Sequence, residues 1–82
     1  MVRIAKNNKM LSSLLVEFDR EEDGRWIAEV PKLPGVMAYG NTKREAAQRV
    51  YAIALRTLAD KVEQGNTPKQ VARLFEYEMA RG

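Results

Sequence analysis

Apolar and polar residues alternate through the first half of the chain, and the period then changes. From Leu11 to Asp19, Leu14, Val16 and Phe18 fall on one side, with Ser13, Leu15 and Glu17 on the other, as in a strand with one buried face. The same period returns from Arg25 to Val30, where Trp26, Ala28 and Val30 oppose Ile27 and Glu29. Between the two runs, Glu21-Glu22-Asp23-Gly24 predicts an acidic, solvated hairpin tip, because Asp-Gly tolerates positive φ. Pro31 and Pro34 withhold two backbone donors, so residues 31 to 35 cannot form a central strand. Gly35 lets the chain turn back, and Val36 to Tyr39 is expected as a third strand.

The period then lengthens. Ala47, Val50, Tyr51, Ala54, Leu55, Leu58 and Val62 make one broad apolar stripe at helical spacing, with Arg44, Gln48, Arg49, Arg56, Asp60 and Lys61 away from it. Thr42 and Glu45 have the spacing of a capping box at its start, and Gly65 suits its end, so a helix is expected from about Lys43 to Gln64. Residues 67 to 80 carry two patterns. Thr67-Pro68-Lys69-Gln70 resembles a helix start, with Val71, Leu74, Phe75 and Met79 as its stripe. Arg73 to Met79 also alternates, with Phe75, Tyr77 and Met79 opposed to Leu74, Glu76 and Glu78. A strand is the expectation here and a helix the alternative. Asn7-Asn8 interrupts the alternation of Val2 and Ile4, so residues 1–9 are expected as a flexible basic arm ahead of one domain over 10–82.

Four strands and one long helix predict a two-layer α+β domain of order β-β-β-α-β, with the helix packed on one face of the sheet. Leu14, Val16, Phe18, Trp26, Ala28, Val30, Phe75 and Tyr77 are the expected core. Leu15, Ile27, Met37, Tyr39 and Leu74 would project from the uncovered face and predict self-association, as a dimer or higher oligomer, or a partner. Scattered surface apolar residues are the plainer alternative.

Composition narrows the chemistry. Eighty-two residues leave room for one core. There is no histidine and no cysteine, which removes the commonest bases, nucleophiles and soft metal ligands, and no glycine-rich phosphate loop. Carboxylates remain, but Glu17, Asp19, Glu29, Glu76 and Glu78 on strands and Glu45, Asp60 and Glu63 at the helix ends are poorly placed to converge on two metal ions. No catalytic residue, metal or other cofactor is therefore expected. No apolar run is long enough to span a membrane and no secretory leader is visible, so a cytoplasmic location is expected. The net charge of +3 is too diffuse to argue nucleic-acid binding by itself. Lys43, Arg44, Arg49 and Arg56 lack interleaved aromatic residues for base stacking.

The ordered combination of an acidic-Gly hairpin, Ala28-Glu29-Val30-Pro31-Lys32-Leu33-Pro34-Gly35, and Gly40-Asn41-Thr42-Lys43-Arg44-Glu45-Ala46 opening a helix resembles the HicB family of bacterial antitoxins. The likeness covers roughly residues 11 to 80 and is to the compact single-domain members. It implies a truncated RNase H-like fold and a HicA-like partner, an mRNA-cleaving toxin that the antitoxin binds and occludes. Many members of that family carry a further DNA-binding domain; none is recognisable here, so operator binding is doubtful. Glu21, Glu22, Asp23, Glu29 and Glu45 suit a basic toxin, and the stiff Lys32-Leu33-Pro34 loop suits recognition; these positions are inferred from charge and stiffness, not from the resemblance. A nucleic-acid-binding regulator without a toxin partner is the alternative, followed by a residual metal-dependent nuclease.

Overall fold

A computed structural model describes residues 13–75. Three strands, β1 (Glu17–Arg20), β2 (Trp26–Glu29) and β3 (Met37–Gly40), precede a long helix α1 (Lys43–Glu63) and one helical turn α2 (Lys69–Ala72). The strands form an antiparallel sheet in the order β1-β2-β3. Register pairs Glu17 with Glu29 and Asp19 with Ile27 across β1 and β2, and Ile27 with Tyr39 and Glu29 with Met37 across β2 and β3. The protein is therefore α+β, with one helix laid on one face of the sheet.

Each connection follows from local chemistry. Between β1 and β2, the Gly24 N–H donates to the Glu21 carbonyl at 2.9 Å and the Glu21 N–H to the Arg25 carbonyl at 2.7 Å. Gly24 sits at φ 92, where a Cβ is disfavoured. Between β2 and β3 the chain makes two consecutive turns, closed by Leu33 N–H to the Val30 carbonyl and Val36 N–H to the Leu33 carbonyl. Pro31 and Pro34 each occupy the second position of a turn, where a fixed φ helps and a missing donor costs nothing. The shared corner residue, Leu33, points inward and is only 6% exposed.

The helix ends are both capped. The Thr42 side-chain oxygen accepts from the Glu45 N–H at 3.0 Å. Glu45 in turn accepts from the Asn41 N–H at 2.6 Å, one residue earlier than a standard capping box would reach. At the far end, Gly65 N–H donates to the Val62 carbonyl and Asn66 N–H to the Lys61 carbonyl, the paired bonds of a Schellman motif.

The core lies between α1 and the sheet, and it is built from small residues. Ala28, Ala46 and Val50 are fully buried, with Val30, Val36, Ala38, Ala54 and Leu58 nearly so. Leu14, Val16, Phe18 and Trp26 pack against this cluster but are only partly covered. Gly40 is required by contact: a Cβ there would collide with the Ala46 backbone at the start of α1. That close approach fixes the helix over the β3 side of the sheet.

Several expectations change. The first strand is short, starting at Glu17, and the expected arm and residues 11 and 12 lie outside the described residues. Trp26 is half-buried at the rim of the core. On α1, Ala46 joins the buried face, while Tyr51, Leu55 and Val62 from the expected stripe are exposed. The expected strand from Arg73 is not formed through Phe75. Leu74 and Phe75 instead continue a turn from α2, with N–H bonds to the carbonyls of Val71 and Ala72, and Phe75 is 68% exposed. Pro68 is the N-cap of α2, one position before the place expected for it. Tyr77 and Met79 lie outside the described residues.

Candidate partner-binding face

Alternation sends every second strand residue away from α1. On that open face stand Glu17 and Asp19 from β1, Arg25, Ile27 and Glu29 from β2 and its lead-in, and Met37 and Tyr39 from β3. Met37 and Tyr39 are well exposed, and Leu15 extends the same face ahead of β1. Ile27 is half-buried between Asp19 and Tyr39. Four of the five residues expected to make an apolar patch are therefore brought together. Leu74, the fifth, is not on this sheet; it is exposed beside α2.

The charges on this face are unbalanced. Glu17 and Glu29 are direct cross-strand partners, an arrangement that costs stability because like charges face each other. Among the described residues neither carboxylate is in an ion pair. Arg25, a cation on this face, is already engaged. Its Nε donates to Asp23 at 2.8 Å, and its guanidinium lies over the Tyr39 ring, 4.4 Å from the centroid. A chain of positive net charge thus presents a sheet face whose free charges are acidic.

The other expected contact residues divide. Glu21, Glu22 and Asp23 form the hairpin tip, with Glu22 and Asp23 exposed and Glu21 half-buried. Asp23 is not a free charge. It accepts from the Arg25 N–H at 3.0 Å as well as from the guanidinium. These bonds, the backbone one foremost, hold its carboxyl below the usual carboxylate range. Glu29, Lys32 and Pro34 are exposed. Leu33 is a core residue, nearly all of it covered. Glu45 is occupied by its capping bond and by Arg49, 3.3 Å away, whose guanidinium also donates to the Tyr39 carbonyl. Glu17 and Asp19, outside the set expected from the sequence, also stand on this face. Their place opposite Glu29 and Ile27 depends on strand register, which a single strand's alternation does not disclose.

A second cluster lies at the rim of the helix-covered face. The Arg20 guanidinium stands 5.1 Å from the Trp26 ring centroid. The Lys43 ammonium lies 4.9 Å from the Phe18 ring centroid and 5.7 Å from that of Trp26. These contacts cover the outer part of the half-buried rings with solvated cations. Among the described residues no three acidic side chains come together to hold a metal ion, and no helix is long and apolar enough to cross a membrane. Comparison with protein-family models, curated proteins and solved structures gives no match to this chain.

Proposed function

We propose that this protein is an antitoxin-like inhibitor whose open sheet face covers the RNA-binding surface of a small basic ribonuclease. The observation that carries this reading is the opposed pair Glu17 and Glu29, with Asp19 beside it, set among Leu15, Ile27, Met37 and Tyr39. Apolar side chains supply area to bury. The carboxylates select a cationic partner and speed its encounter. Mutual repulsion between the carboxylates is relieved when a partner's lysine or arginine enters between them. The resemblance of Ala28 to Ala46 to HicB antitoxins supplies the class of partner, a HicA-like mRNA-cleaving toxin. The finer description as a truncated RNase H-like unit belongs to the same proposal, supported by the antiparallel β1-β2-β3 order followed by a crossing helix.

Direct binding of RNA has the Trp26 cluster in its favour. Arg20 and Lys43 already lie on the aromatic rings there, so a base must displace a cation before it can stack. Inhibition of a protein partner needs no such rearrangement.

The test is RNA cleavage by a small basic ribonuclease encoded beside this protein, measured as this protein is titrated in. Occlusion predicts a fall in cleavage with an equivalence point at fixed stoichiometry when binding is tight. Unchanged cleavage at several-fold excess of the folded protein overturns the reading for that pair. Magnesium-dependent cleavage by this chain alone would replace it with a nuclease.

A further inference from the structure

Helix α1 is much longer than the sheet beneath it. Its 21 residues make it about 31 Å long, whereas the four residues of β3 span about 13 Å. Strands β1 and β3 both run antiparallel to β2, so β3 ends at the same end of the sheet as the β1–β2 hairpin. From there α1 returns over the sheet. Its last turns overshoot the strands and reach the proline turns between β2 and β3. A cavity of about 380 Å³ opens there, near the lower end of the roughly 300 to 1,000 Å³ usual for small-ligand sites.

The lining of this cavity is cationic and polar. Lys32 comes from the first proline turn and Lys61 from the last turn of α1, while Asn66, Thr67 and Gln70 follow the helix end. Leu14 and Pro68 add apolar surface. No acidic residue is among the described residues that line it. Neither lysine is in an ion pair with a described residue. The side chains of Asn66, Thr67 and Gln70 make no hydrogen bond to a described residue. Donors are thus gathered at one place, and no described residue supplies an acceptor for them.

The frame that holds these donors is stiff. Pro31 presets the turn that carries Lys32, and the buried Leu33 anchors it. The Asn66 N–H donates to the Lys61 carbonyl at 2.8 Å, which ties the loop to the helix end. Groups held in place beforehand lose less entropy on binding. One effect opposes an anion here, because the C-terminal end of a helix carries about half a negative charge. The carbonyls of Asp60, Lys61 and Val62 already accept N–H bonds from Gln64, Gly65 and Asn66, and the full charges of two lysines outweigh the remainder.

We propose that this cavity binds a phosphomonoester with a small apolar body. Near neutrality a phosphomonoester carries a charge of about −1.5 to −2 and three acceptor oxygens. That matches two ammonium groups with amide and hydroxyl donors beside them. A carboxylate brings less charge and fewer acceptors. Leu14 and Pro68 give the apolar body surface to cover. The site lies at the end of the sheet opposite the hairpin tip and does not rest on the partner-binding reading.

Titration of the isotope-labelled full chain with phenyl phosphate near pH 7.5, above the second phosphate pKa of about 6, tests the assignment at constant ionic strength. The expected result is saturable amide shift changes at Lys32, Asn66, Thr67 and Gln70. The dissociation constant should lie about fivefold or more below those of inorganic phosphate, which lacks the apolar body, and of benzoate, which lacks the second charge. Changes that do not saturate, or benzoate bound as tightly as phenyl phosphate, overturn the proposal. Lys32→Gln with Lys61→Gln should weaken phenyl phosphate binding about tenfold or more, with the amides of β2 and β3 still protected from exchange. Lys32→Gln alone, at an exposed turn position, should weaken it roughly threefold or more, which keeps the test decisive if the double variant unfolds; unchanged binding contradicts the proposal. Lys69→Gln, at a lysine outside the lining, should leave binding as it is. An equal loss there would show attraction to net charge alone and overturn the site.

Discussion

The two sides of the sheet-helix layer are finished differently. On the β3 side, Gly40, Ala38, Ala46 and Val50 let α1 approach the sheet until the Gly40 backbone nearly meets that of Ala46. On the β1 side, Leu14, Val16 and Phe18 are only partly covered, and Tyr51 and Leu55 stand exposed above them. The lesson is that residue size decides where the helix rests. Small residues draw α1 toward β3. Its larger apolar side chains are left on the opposite flank, where they can serve a later contact and do not hold the helix in place.

The sharpest way to break this contrast is to make the β3 side bulky. Gly40→Val drives a side chain into the Ala46 backbone, which cannot rotate away. The expected loss of stability is about 3 kcal/mol or more, measured by denaturant unfolding. Next comes Leu58→Ala, at a residue 8% exposed, with an expected loss of ~3 kcal/mol from lost burial and the cavity left behind. Trp26→Ala should cost about 2 kcal/mol, less than a fully buried aromatic, because the ring is half-buried at the rim. A Trp26 cost above that of Leu58 would show that the rim of the core holds the layer more firmly than its buried interior.

Thr42→Ala probes the start of α1, which the β3 contact positions. Loss of the bond to the Glu45 N–H should cost on the order of 1 kcal/mol. The smallest expected effect is at the hairpin tip. Bonds from Arg25 lower the Asp23 pKa in the folded state. The ionised carboxylate therefore adds stability above its unfolded pKa, and that contribution is lost as pH falls through the folded value. Asp23→Asn should flatten this part of the acid-side slope in thermal melts, lowering stability slightly near neutrality and leaving it little changed in acid.

How much of this was legible in the sequence depends on the element. The double-proline turn, the cap at Thr42 and the strands around Ala28 and Ala38 all follow from local rules about donors, φ and period. The roll of α1 does not, because the stripe from Ala47 to Val62 is wider than the sheet available to cover it. Ala46 is buried by a tertiary contact with Gly40, invisible to a helical pattern. The segment after Gly65 carried both periods at once, and the turn through α2 prevailed as far as Phe75. In the candidate face, Met37 and Tyr39 were accessible from alternation. The opposition of Glu17 to Glu29 required the register. The burial of Leu33 was not legible, because a stiff loop can point its apolar corner inward as readily as outward.

The central claim is that the open sheet face meets a basic partner. It is tested most directly by mapping amide shift changes on the isotope-labelled chain as any small basic ribonuclease encoded beside it is added. The account predicts that changes concentrate at Glu17, Asp19, Ile27, Glu29, Met37 and Tyr39, and that Glu17→Lys with Glu29→Lys weakens binding at least tenfold while the unfolding midpoint holds. Changes centred on Arg20, Trp26 and Lys43, or binding indifferent to that charge reversal, would contradict it.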